Sequence, residues 1–266
     1  MKILFIGDIV GEPGRLMVER TLSRIVLQHQ IDCVIANAEN SAAGFGITPK
    51  IAERFFQSGV HVLTGGNHIW DKKEIHSYIA EEPRLLRPAN YAEGVPGAGS
   101  YVCTVDTRSG AAEKIGVIHL AGRIFMAPAD CPFRTADREI EKVRSETSVI
   151  LVDFHGEATS EKKAMGWYLN GRVSAVVGTH THVQTADEEV LPGGTAYITD
   201  IGMTGPSESV IGIDREIAIR KFLTQMPVRF EPATGPAILS AVIIETESSG
   251  KSRSIRRLQI SERHDG

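Results

Sequence analysis

Short uninterrupted apolar runs alternate with segments in which hydrophobic residues recur at helical spacing, and this alternation sets the expected architecture. Residues 2–6 form an apolar run of strand length, whereas residues 15–30 scatter Leu16, Val18, Leu22, Ile25 and Val26 among polar positions, as an amphipathic helix does. Residues 33–36 return as a second buried strand. Thr48-Pro49 has the form of an N-cap followed by a proline at the first helical position, opening a helix to about residue 58, and residues 60–63 form a third strand. A β-α-β-α-β opening predicts a parallel sheet.

Asp71 reads as the N-cap of a helix running to about residue 80, after which Pro83, Pro88, Gly94, Pro96, Gly97 and Gly99 crowd a loop-rich passage. The pattern then changes to strands 101–106 and 114–120 flanking the polar turn 107–113, an antiparallel pair. Helix 136–146, strand 149–154, helix 161–170 and strand 173–177 follow in alternation, with further strands at 195–199, 237–245 and 254–259 and a helix at 217–225. No linker or repeat interrupts the chain. The expectation is one domain over residues 1–266, of α/β class, with two stacked mixed β-sheets and helices outside.

Composition narrows the class without naming a function. With 42% hydrophobic and 23% charged residues, the 266-residue chain has the balance of an ordinary globular protein. A net charge of -4 carries no basic footprint for a nucleic-acid backbone, which excludes extended nucleic acid as a partner and leaves short oligonucleotides open. Cys33, Cys103 and Cys131 form no CxxC pair and read as reduced thiols of a cytosolic protein. The apolar run 3–6 is too short for a signal peptide, and the stretch 237–244 is strand length rather than membrane-spanning. A soluble cytoplasmic protein is expected, with no membrane partner.

Metal-binding side chains stand where the apolar runs end. They are Gly7-Asp8, Glu39-Asn40, Gly65-Gly66-Asn67-His68, His155, and Gly178-Thr179-His180-Thr181-His182. Each has an ordinary alternative by itself: Asp8 suits a helix cap, a Glu-Asn pair suits a solvated loop, and a strand-end histidine suits a plain hydrogen bond. Taken together they sit at strand ends, which in an open α/β sheet line one crevice. His180 and His182, two residues apart, project to the same side of an extended segment. Phosphoester hydrolysis needs this set, because attack on an anionic phosphorus requires cations and a nucleophile together. Two metal ions about 4 Å apart supply both. A bridging carboxylate, imidazoles and amides suit iron, manganese or zinc.

With those residues in place, the chain resembles the calcineurin-like metallophosphoesterase superfamily and, within it, the YmdB-type family of bacterial phosphodiesterases. The most specific stretches are Gly7-Asp8-Ile9-Val10-Gly11, Ala38-Glu39-Asn40-Ser41-Ala42-Ala43-Gly44, Gly66-Asn67-His68, Gly178-Thr179-His180-Thr181-His182 and Thr199-Asp200-Ile201-Gly202-Met203-Thr204-Gly205-Pro206. Val10 and Glu39 replace the histidine and aspartate usual in the wider superfamily, and both agree with the YmdB-type pattern.

The resemblance implies a four-layer α/β/β/α sandwich and two metal ions, iron or manganese first and zinc also compatible. It implies Asp8, Glu39, Asn40 and His182 around one ion and Glu39, Asn67, His155 and His180 around the other, with Glu39 bridging and His68 as general acid. It further implies hydrolysis of 2′,3′-cyclic and 3′,5′-cyclic nucleotides and a homo-oligomer. The residues alone stop at phosphoester hydrolysis. A phosphomonoesterase or protein phosphatase on the same site, and a regulator that binds a nucleotide without turnover, stay open beside it.

Some residues keep two readings. Gly11-Glu12-Pro13-Gly14-Arg15 is a phosphate cradle or an ordinary turn, and Asp200 orients a ligand histidine or caps its own turn. Arg123 is a candidate contact to a phosphate oxygen, and the Gly- and Pro-rich stretch 88–100 is compatible with a lid. His29, His61, His76 and His264 are read as surface or packing residues.

Overall fold

Side-chain alternation along the first strand decides how the layers stack. In β1 (Lys2–Ile6), Ile3 and Phe5 enter one apolar cluster while Leu4 and Ile6 enter another, so the strand is buried on both faces. The computed structural model describes residues 1–108 and 110–262, so His264 lies outside the described residues. The elements after β1 are β2 (Asp8–Ile9), α1 (Gly11–His29), β3 (Cys33–Asn37), α2 (Pro49–Gln57), β4 (Val62–Thr64), α3 (Ile75–Glu81) and β5 (Leu85–Leu86). Next come β6 (Ser100–Asp106), β7 (Ala112–Ala121), α4 (Pro132–Arg144), β8 (Ile150–His155), α5 (Thr159–Tyr168) and β9 (Ala175–Thr179). The chain continues through β10 (Glu189–Val190), β11 (Ala196–Ile198), β12 (Met203–Pro206), α6 (Arg215–Thr224), β13 (Ala237–Thr246) and β14 (Ser252–Ser261).

Two mixed sheets result. In the first, β1, β3, β4 and β5 run parallel, β13 lies antiparallel beside β1, and β14 lies antiparallel beside β13. The short β12 joins the end of β13 to β2, pairing Met203 with Asp8. The second sheet has the order β10-β11-β9-β8-β7-β6, parallel in the middle, with β10 and β6 antiparallel at its edges. Ile3, Phe5, Cys33 and Ile35 of the first sheet meet Val117, Leu151, Ala175 and Ile198 of the second in a buried inter-sheet core. The outer face of the first sheet packs on α1, α2 and α3, and that of the second on α4 and α5, which makes the four expected layers.

Several boundaries depart from the expectation for physical reasons. Asp71 is not an N-cap: α3 begins only at Ile75, after Glu74, and the Asp71 carboxylate turns instead to His68. The strand expected at 173–177 is β9, two residues further on, which delivers His180 directly at its end. Helix α4 starts at Pro132, at a position where the missing N–H goes unneeded, rather than at Ala136. The antiparallel pair is β6 and β7, and the register runs from Ser100↔Ile118 to Asp106↔Ala112. Among the described residues, no helix is long and apolar enough to cross a membrane.

Candidate metal centre

Strand polarity brings the chemistry together. Because β1, β3 and β4 are parallel in one sheet and β8 and β9 in the other, each set has its carboxyl ends at one edge. Asp8 follows β1, Glu39 and Asn40 follow β3, Gly66 to His68 follow β4, His155 is the last residue of β8, and His180 and His182 follow β9.

Those residues form two ligand groups with one member in common. Glu39, His155 and His180 present ligand atoms all within 4.8 Å of one another, and so do Asp8, Glu39 and His182. In the first group His155 Nε2 lies 3.2 Å from Glu39 Oε1, 2.9 Å from Asn67 Oδ1 and 3.1 Å from His180 Nδ1. In the second, His182 Nε2 lies 3.3 Å from Asp8 Oδ2 and 3.2 Å from Asn40 Nδ2, which also donates to Glu39 Oε1 at 3.1 Å.

The donor set fits two cations. Three acceptors converge on His155 Nε2, which can carry at most one proton. Asp8 Oδ1 and Asn40 Oδ1 are buried without a hydrogen-bond partner, a costly state that a bound cation relieves. The Asn40 amide group stands between two ligand atoms, and a flip of the amide turns its oxygen into that place. His155 and His182 are also held in the metal-ready tautomer. His182 Nδ1 donates to the Ile211 carbonyl at 2.7 Å, and His155 Nδ1 donates at 2.9 Å to Thr179 Oγ1, whose hydroxyl goes to Asp153 Oδ1 at 2.7 Å.

Burial and mutual charge shift the titration of these groups. Burial raises the Asp8 carboxyl above its ordinary value against the pull of His182. Burial acts on Glu39 in the same sense, yet the imidazoles of His155, His68 and His180 together hold it well below the carboxylate range. Burial opposes the charge on His155, but Glu39, Asp8 and Asp153 together raise it above its ordinary value. His182 is likewise disfavoured by burial, and its bond to Asp8 carries it up to about 9. His180, desolvated and beside His155, is pushed down to about 3.

His68 stands apart from both ligand groups. Its Nδ1 lies 2.8 Å from Asp71 Oδ2, its backbone N–H donates to Glu39 Oε2 at 3.1 Å, and its ring meets Phe45 edge-on at 5.0 Å. It lines a cleft of about 310 Å³ whose polar side is Glu39, Asn40, His180 and His182 and whose apolar side is Val10, Phe45, Ile211, Ile213 and Phe230.

Three further candidates lie elsewhere. Arg123 is exposed outside that cleft, with its backbone N–H bound to the Glu161 carboxylate. Gly11 N–H and Gly14 N–H are spent on the Asn40 and Val10 carbonyls, so that segment is the first turn of α1 and not a phosphate cradle. The stretch 88–100 contributes nothing to the cleft, and Asn90 within it is buried and tied to Ala121 and Asp130. His29, His61 and His76 make local bonds away from the site.

The supports of the centre escaped sequence reasoning. His119, buried within β7, accepts the Gly66 N–H at 3.0 Å, and its Nδ1 lies 3.1 Å from Asp153 Oδ2, off the hydrogen-bond axis. Lys162, 1% exposed, meets Asp200 Oδ2 at 2.6 Å, and the same oxygen accepts Thr181 N–H at 3.0 Å and Thr181 Oγ1–H at 2.7 Å. Asp200 thus pins the residue between His180 and His182 rather than a ligand imidazole. Both histidines have positive φ, 101° and 66°, so that loop needs pinning. The available signal was a lysine on the same helical face as Met165 and Leu169, both fully buried.

Comparison with known proteins gives the family. The family described as YmdB-like protein matches residues 4–258. The chain is 49% identical over 266 residues to the 2′,3′-cyclic-nucleotide 2′-phosphodiesterase of Bacillus subtilis (strain 168), covering 99% of this chain and 98% of that protein. It is 35% identical over 258 residues to a putative phosphatase/phosphodiesterase of Mycoplasma pneumoniae, covering 94% and 89% of the two chains. A hypothetical protein from Thermus thermophilus superposes with a TM-score of 0.91 at 41% identity, over 99% of this chain and 100% of the other. The calcineurin-like phosphoesterase YfkN from Bacillus subtilis, at 13% identity and a TM-score of 0.57 over 98% and 90% of the chains, shares the fold.

Proposed function

The chain belongs to the YmdB-like family and is a hydrolytic phosphoesterase, and from that premise we propose that it is a dinuclear metal-dependent phosphodiesterase of cyclic nucleotides. The observation that carries this reading is the sharing of Glu39 by two ligand groups. Asp8, Asn40 and His182 would hold one cation and Asn67, His155 and His180 the other, with Glu39 offered to both; iron or manganese is the expected metal, with zinc compatible. Two bound cations would neutralise the phosphoryl oxygens and supply a deprotonated water. His68 donates a proton to the departing ester oxygen as the P–O bond breaks. Asp71, on its Nδ1, leaves Nε2 free for that transfer.

The substrates are 2′,3′-cyclic and 3′,5′-cyclic nucleoside monophosphates. The apolar side of the cleft supports this choice over a plain phosphomonoester, because Phe45, Ile213 and Phe230 offer a nucleobase a surface that a bare phosphate does not need. The His68–Asp71 pair supports turnover over mere binding, since a sensor has no use for an oriented acid. One domain, a cytoplasmic location and a homo-oligomer complete the reading.

Its test is product formation from 2′,3′-cyclic AMP by protein of measured metal content, beside Asp8→Ala and His180→Ala. Turnover that follows metal content and vanishes in both variants is expected. Two bound metals without turnover on a panel of phosphoesters would favour the regulator, and preference for a nitrophenyl monoester would favour a phosphatase.

A further inference from the structure

The metal cleft contains a carboxylate that its ligand groups do not use. Of the two acids among the described residues that line it, Glu39 belongs to both ligand groups and Glu157 to neither. Glu157 stands in the loop between β8 and α5, with its side chain 49% exposed and its Oε2 3.3 Å from His180 Nε2. His180 turns its other ring nitrogen, Nδ1, toward His155 Nε2 in the ligand group. One imidazole therefore separates the Glu157 carboxylate from the place of a cation.

Nothing basic balances that carboxylate. Among the described residues, no lysine or arginine lines the cleft and none pairs with Glu157. Arginine and lysine are the usual partners of a phosphate that carries two charges. Arg123, the candidate for that part, lies outside the cleft. The lining thus lacks what a dianion needs and adds a charge that opposes one.

Hydrolysis of a cyclic nucleotide changes the charge that the cleft must hold. The substrate is a diester with one negative charge. Water adds across one P–O bond: its oxygen joins phosphorus, one of its protons goes to the departing ribose oxygen, and the other leaves as the new monoester ionises with a pKa of about 6. A monoanion enters and a dianion must leave. The added charge strengthens attraction to a cationic centre, and release of product sets the turnover of many enzymes. A fixed carboxylate beside the centre works in the opposite sense, repelling the product more than the substrate.

We propose that Glu157 is a specificity-determining residue that separates monoanion from dianion, tolerating the cyclic diester and expelling the phosphomonoester formed from it. This rests on the reading of the site as a cyclic-nucleotide phosphodiesterase. Two like charges ~7 Å apart in a half-solvated cleft weaken binding on the order of 3- to 30-fold, between full solvent screening and partial desolvation. The same repulsion disfavours phosphomonoesters as substrates.

Calorimetric titration of the metal-loaded full chain at about pH 8, above the second phosphate ionisation, tests it with two ligands of one shape. They are 3′-AMP and adenosine 3′-methylphosphonate, in which a methyl group replaces one charged oxygen. At equal metal content, Glu157→Gln should bind 3′-AMP ~3- to 30-fold more tightly than wild type and the methylphosphonate equally well. The gain should shrink toward ~1 M salt, where screening reaches ~3 Å. Inhibition of 2′,3′-cyclic AMP turnover by 3′-AMP should strengthen in step. Glu146→Gln, at an exposed position paired with Lys114, removes the same charge outside the cleft and should change neither affinity. Equal shifts for the two ligands, or none, would overturn the role of Glu157 alone, including an effect exerted only through the orientation of His180. A wild type that shows the discrimination yet turns over no cyclic nucleotide would defeat the phosphodiesterase reading, and the expulsion of product with it.

Discussion

Gly66 is where a single methyl group should strike Glu39 directly. Its φ is +51°, and a Cβ there would stand 1.9 Å from Glu39 Oε2, 2.4 Å from Glu39 Cδ and 2.9 Å from His155 Cε1. Relief requires the Glu39 carboxylate to withdraw by more than ~1 Å, given ordinary contact distances of ~3.5 Å. It cannot do so freely, because Glu39 is 1% exposed and both oxygens are engaged, Oε1 with Asn40 and Oε2 with His68 N–H. A left-handed alanine costs about 1–2 kcal/mol, and overpacking adds about 1–3 kcal/mol.

Gly66→Ala should therefore lose on the order of 2–5 kcal/mol of stability and roughly 10²-fold in kcat/KM, the usual consequence of a misplaced catalytic group. Metal content should fall as well, because the displaced group is the shared ligand. Gly59→Ala is the matched control, with φ at +100° and nothing within 4 Å of its Cβ, so only the conformational cost applies. Urea unfolding, elemental metal analysis and turnover of 2′,3′-cyclic AMP measure the three effects. A Gly66→Ala protein with full metal and the activity of Gly59→Ala would refute the placement of Glu39 at the centre.

Lys162→Met should destabilise the protein by about 3–5 kcal/mol, because it strands Asp200 as a buried uncompensated charge, and Lys162→Met/Asp200→Asn should recover part of the loss. Urea unfolding decides it, and a wild-type midpoint for Lys162→Met would contradict the argument. His68→Ala should keep its metals while losing ~10²–10⁴ in kcat on 2′,3′-cyclic AMP, and much less on a nitrophenyl diester that leaves without a proton. Equal losses on the two substrates would remove the acid role. For Asp187, burial opposes ionisation, but Lys163 and Thr199 hold the folded carboxyl below its ordinary value. A depressed carboxyl contributes stability above its unfolded pKa of about 3.9, and that contribution is lost as pH falls through the folded value. Asp187→Asn should thus weaken the protein at pH 7 and flatten its acid-side stability curve; a slope unchanged from wild type would show that the ion pair contributes nothing.

What could be read from consecutive residues was read because it is local. Apolar runs and helical spacing belong to the chain itself, so β1, β3, α1 and the antiparallel pair β6 and β7 stand out without any partner. The ligand residues stand out for a related reason. Carboxylates and imidazoles directly after buried strands are expensive to bury unless something uses them. Elements of two to four residues such as β2 and β12 have no period to read, and they exist because Met203 and Asp8 meet across almost two hundred positions.

Tertiary structure alone chose the partners. It set His155 beside Asn67 and placed the His180 N–H on Asp8, and it turned Asp71 from a presumed helix cap into the anchor of His68. It also revealed Lys162 and His119 as supports of the centre, since a buried charge is explained only by the group it faces. Ile219, Phe222 and Leu223 of α6 show the same limit from the other side. Their helical spacing announces a buried face, yet they stand exposed, because spacing is a property of one helix, whereas burial depends on what folds against it.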